Sequence, residues 1–101
     1  MAVEDNVYLN FQDEAIRETL AKLDKKTKVF LNPEYDLKKT VENDADFLLG
    51  ATFSEIIDHM NWLIYGSKTP KPTHDQLQKL NRRLFTMAPE LKATIIKMVG
   101  L

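Results

Sequence analysis

The sequence predicts an all-α domain, a bundle of four to five helices, and three observations carry that prediction. Apolar residues recur at three- and four-residue spacing along several stretches of the chain. Helix-start residues stand ahead of those stretches: Asn10, Asn32 with Pro33, and Thr73. The clearest break, G66-S-K-T-P-K-P72, brings a glycine and two prolines together between two such stretches. At 101 residues the chain, 1–101, is read as a single helical domain. Folding at that length hides on the order of 60–65% of the accessible surface, which is enough for a core.

The first helix is read over Asn10–Lys25. Asn10 serves as N-cap, and Asp13 and Glu14 place negative charge in the first turn, where the helix dipole favours it. Ala15, Ile16, Thr19, Leu20 and Leu23 share one face, with Asp13/Arg17 and Glu18/Lys22 as i,i+4 pairs outside. The tetrads V7-Y-L-N10 and V29-F-L-N32 echo each other ahead of helix starts. Two readings fit them. Residues 7–9 and 29–31 are extended segments feeding the core, or they are a minor two-strand element.

A second helix start follows at L31-N-P-E-Y-D36, with Leu37 and Val41 one turn apart. E42-N-D-A-D46 then caps the main apolar helix, and the letters leave open whether 33–65 forms one helix or two. Gly66 suits a left-handed C-cap. T73-H-D-Q76 matches a capping box, and Leu77, Leu80, Leu84, Phe85 and Ala88 stripe the helix behind it. P89-E-L-K-A-T-I-I-K-M-V99 is the last helix.

Composition narrows the function classes. With 44% hydrophobic and 29% charged residues, the chain is globular rather than disordered. Its uninterrupted apolar runs are far short of the ~20 residues of a membrane span. The opening M-A-V-E-D-N has no basic n-region and no apolar stretch behind it, so no secretory signal is expected. The absence of cysteine removes disulfides and thiol chemistry, and a cytoplasmic location is the simplest reading. Charge is asymmetric. Residues 1–66 carry seven Lys/Arg against thirteen Asp/Glu, whereas residues 67–101 carry seven against two. Either the basic third meets an anionic partner, or the two portions face each other within a chain or across a dimer.

The main helix decides the functional reading. At about 100° per residue, Leu49, Phe53, Ile56, Ile57, Met60, Leu63 and Ile64 form a core sector. Phe47, Ala51, Asp58, Trp62 and Tyr65 form a second line; Glu55 borders it, and His59 lies further round beside Leu48 and Thr52. Glu55 and His59 at i,i+4 resemble two metal ligands from one turn. Zinc needs a third, however, and His74 stands apart at another helix start, where it is read as solvent-exposed. No catalytic residue, metal or cofactor is therefore expected, and the chain is read as non-enzymatic.

Leaving several aromatic side chains in water forgoes about 1.5–3 kcal/mol each, so the second line is read as a protein interface. With it go Leu91, Ile95 and Met98 of the last helix. The expected partner is a second copy in a two-fold dimer, with a heteromeric protein partner as another option. The alternative function is nucleic-acid contact through Lys79, Arg82 and Arg83, on the side of their helix away from its leucines.

Overall fold

A computed structural model describes residues 3–23 and 44–99. They form four helices: α1 (Asp5–Ala21), α2 (Asp44–Gly66), α3 (His74–Thr86) and α4 (Ala88–Val99). Among the described residues there is no strand, and the all-α prediction holds as a four-helix bundle. The helix start at Asn32–Pro33, the segment 29–31 and the question of one helix or two over 33–65 fall on or across residues outside the described set.

The extended reading of residues 7–9 is corrected, because α1 already includes them. β-Branched and aromatic letters disfavoured helix locally, but burial overrides propensity. Tyr8, Gln12, Ala15, Ile16 and Thr19 are all buried along α1, a stripe at helical spacing that reaches back past Asn10. The N-cap is Glu4, in extended backbone and with no side-chain cap bond. Asn10 is an exposed residue inside the helix. Tyr8, completely enclosed, satisfies its hydroxyl by donating to the Pro70 carbonyl at 2.5 Å, so α1 also anchors the proline loop.

The core sector of α2 is rotated from the predicted one. Leu48, Thr52, Ile56, Met60 and Ile64 are buried, while Ile57 is 39% exposed. The cause is α1, whose most extensive packing is against α2 and which covers the Thr52–His59 side. Thr52 can be buried there because its hydroxyl donates to the Leu48 carbonyl at 2.6 Å. The main core joins Tyr8, Ala15 and Ile16 of α1, Ile56, Met60 and Ile64 of α2, Leu80 and Leu84 of α3, and Leu91 of α4. A second, smaller cluster holds Leu23, Leu48 and Ile95.

The end of α2 differs from the expectation for Gly66. Lys68 is the left-handed residue, with φ 59°. Lys68 N–H donates to Tyr65 O at 3.1 Å and Thr69 N–H to Ile64 O at 3.3 Å. Those two bonds make a Schellman motif with Lys68 at the position where glycine is usual. The capping box of α3 forms as read: Gln76 N–H donates to Thr73 Oγ1 at 3.2 Å, and Thr73 N–H to Gln76 Oε1 at 2.9 Å. Met87 makes the corner into α4, and Pro89 falls in the first turn of α4, where its missing N–H costs nothing.

Candidate functional site

A polar seam fixes α3 against α1. Lys79 Nζ meets Asp5 Oδ2 at 3.0 Å, and the capping residue Gln76 donates onward to Val3 O at 2.7 Å and Asp5 Oδ1 at 3.0 Å. These contacts, with the Lys79 charge, hold the Asp5 carboxyl below the ordinary aspartate range. Arg83 forks across the same seam, to Gln12 Oε1 at 2.7 Å and Asp13 Oδ1 at 2.6 Å. Gln12 is buried and donates to Leu80 O at 3.0 Å. Lys92 of α4 meets Asp46 of α2 at 2.7 Å.

Each of these three ion pairs joins an acid from residues 1–66 to a base from residues 67–101. Part of the charge split is thus settled within one chain. The reading of Lys79, Arg82 and Arg83 as a nucleic-acid contact changes accordingly. Lys79 and Arg83 turn to α1, and Arg82 alone of the three has no carboxylate partner among the described residues. A phosphate strand would have to compete with Asp5 and Asp13 for the other two cations.

The second line of α2 faces outward. Trp62 is 72% and Tyr65 84% exposed; Asp58 is exposed and Ala51 half-buried. Phe47, at the other end of that line, is also partly exposed. Met98 is exposed on α4, but Leu91 and Ile95 are enclosed in the chain's own core. That burial corrects their reading as interface residues, since they have no surface to offer a second molecule. α4 docks on the bundle because its Leu91 and Ile95 fill the space beside α2, where it makes its largest contact.

Two grooves flank Trp62 and Tyr65. One, of about 490 Å³, lies between α1 and α2 and is lined by Glu18, Lys22, Glu55, Asp58, His59 and Trp62. Its acids outnumber its lysine. The other, of about 820 Å³, lies between the end of α2, the proline loop and α3; Tyr65, Leu77, Lys68 and Lys71 line it. Thus an acidic groove meets Trp62, and a basic, largely apolar groove meets Tyr65.

His59 sits in the wall of the first groove, where its Nε2 meets Glu18 Oε2 of α1. The sequence does not show this partner, because Glu18 is distant from His59 along the chain and its helical spacing points to Lys22 instead. Glu55 lies near His59, but among the described residues no three His, Asp or Glu side chains gather as a metal site would require. His74 is exposed, 3.2 Å from Gln78.

Fold and surface together define a small all-helical domain, and no helix among the described residues is long and apolar enough to cross a membrane. Comparison with family models, with curated proteins and with solved structures gives no match for this chain.

Proposed function

We propose that this protein is a non-enzymatic protein–protein interaction module that associates with itself, in the cytoplasm, through the outward face of α2. The observation that supports the reading is the exposure of Trp62 and Tyr65 side by side, 72% and 84% in water. Large rings rimmed by charge mark contact surfaces on small domains. Each combines an apolar body with a hydrogen-bonding tip, which suits a surface that is wet in one state and covered in another. Covering such a ring is worth about 1.5–3 kcal/mol, a large share of the stability of a small domain.

The test is the mass of the protein in solution. Light scattering behind a sizing column at tens of micromolar should give twice the chain mass, falling toward the chain mass on dilution. A monomer throughout that range removes the reading.

A further inference from the structure

We infer that two copies of the chain join through the C-terminal halves of α2, running antiparallel about a two-fold axis beside Trp62. Asp58 of each copy then faces Lys68 and Lys71 of the other. The inference rests on the self-association reading and adds the geometry of the contact.

The charges along the exposed face select this arrangement. α2 contains no lysine or arginine, so the approach to Trp62 from the helix side is acidic, with Asp58 one turn before the ring. Beyond Tyr65 the sign reverses at Lys68 and Lys71. All three charged side chains are exposed, and none pairs with an opposite charge among the described residues. Asp58 lines the same groove as Trp62, and Lys68 and Lys71 line the same groove as Tyr65.

A parallel pairing would set Asp58 on Asp58 and Lys68 on Lys68, which is repulsive at both ends. Reversing one copy about Trp62 opposes unlike charges at both ends. At 1.5 Å per residue, Asp58 lies about 6 Å from the two-fold axis along the helix and Gly66, the last helical residue, about 6 Å on the other side, with Lys68 in the turn just beyond it. A lysine stem spans the remainder. The two Asp58 residues are then about 12 Å apart along the helix direction, beyond the ~8 Å screening length at physiological salt. A two-fold contact must present the same patch to itself. A face acidic on one side of its aromatic centre and basic on the other is self-complementary in just that sense. Tyr65 of each copy then covers the other copy between its Asp58 and Trp62.

The experiment is a charge exchange read by sedimentation equilibrium, with a thermal melt to check the fold of each variant. Asp58→Lys alone, and Lys68→Glu with Lys71→Glu in a second chain, should each weaken the dimer about tenfold or more. An equimolar mixture of the two variant chains should recover to within about threefold of the wild type, because the mixed dimer opposes unlike charges at both ends. Arg82→Glu, an exposed cation outside both grooves, should leave the dimer within about twofold. A wild-type dimer whose charge variants bind as it does, or whose mixture is no tighter than either variant alone, overturns the antiparallel contact and leaves self-association standing. A monomeric wild type overturns both.

Discussion

Arg83 Nη1 donates to Gln12 Oε1 at 2.7 Å, and the same guanidinium reaches Asp13 Oδ1 at 2.6 Å. Gln12 in turn donates to Leu80 O, so one buried amide and one forked cation fix the register of α3 on α1. A planar fork makes two directed bonds at once, and an ammonium cannot reproduce that geometry. Arg83→Lys should therefore destabilise by about 1 kcal/mol. Gln12→Ala should cost about 2–3 kcal/mol, since it removes both bonds and opens a buried gap. Urea denaturation of the singles and the double should show coupling of at least about 0.5 kcal/mol. Strict additivity would mean that the fork holds nothing in place.

The pH response of the seam depends on Asp5. Hydrogen bonds from Lys79 and Gln76, then the Lys79 charge, hold its carboxyl below the ordinary value. As pH falls, the unfolded chain takes up this proton first, near pH ~3.9. The stabilisation is therefore complete above that value and is lost as pH falls through the lower folded-state value. Asp5→Asn should be less stable than the wild type at neutral pH, and the gap should close as pH falls below the ordinary aspartate range and through the lower folded-state value. Thermal melts over that range give the answer. A gap of constant size would show that the Asp5 charge plays no part.

Lys68 carries the backbone strain of the α2 end. A left-handed conformation costs a side-chain-bearing residue about 1–2 kcal/mol, and glycine escapes that cost while losing some freedom of the unfolded chain. Lys68→Gly should stabilise by about 0.5–1 kcal/mol, or about 2–6 °C in Tm. Lys68→Val should do the opposite. The measurement belongs at low protein concentration, where association adds nothing to Tm. A glycine variant that melts lower would show that the Lys68 side chain makes a favourable contact exceeding its strain.

What the letters reveal and what they conceal separates by distance along the chain. The capping box from Thr73 to Gln76 lies within four residues, and it forms as read. The leucines at 80 and 84 follow from the same local period. The start of α1 was misplaced because Val7 and Tyr8 have strand preferences, and what makes them helical is a core assembled from three other helices. The rotation of α2 has the same origin: Ile57 and Thr52 exchange their expected places because α1 covers one side and not the other. Gln12 gave no signal at all. Its bonds run to residues 68 and 71 positions away, and an amide followed by Asp13 and Glu14 reads as ordinary helix surface. The exposed line through Trp62 and Tyr65 was legible, since it needs only the helical period and the excess of apolar residues over one face.

That excess separates two variants that each remove a large apolar side chain from α2. Ile56 is fully enclosed and Trp62 is 72% in water. Ile56→Ala should cost about 2–5 kcal/mol of folding stability, because a cavity remains where the side chain packed. Trp62→Ala should change the stability of the dilute chain by no more than about 0.5 kcal/mol, since water already surrounds most of the ring. On self-association the order should reverse. Aromatic anchors at interface centres are worth about 2 kcal/mol or more, so Trp62→Ala should weaken the dimer about thirtyfold or more. Ile56→Ala should leave it within a few fold at temperatures where the variant remains folded. Melts in dilute solution and sedimentation at higher concentration measure the two quantities on the same samples. If Trp62→Ala lowered Tm as far as Ile56→Ala while leaving the mass in solution unchanged, the ring would belong to the fold, and the outward face of α2 would lose its claim to be a contact surface.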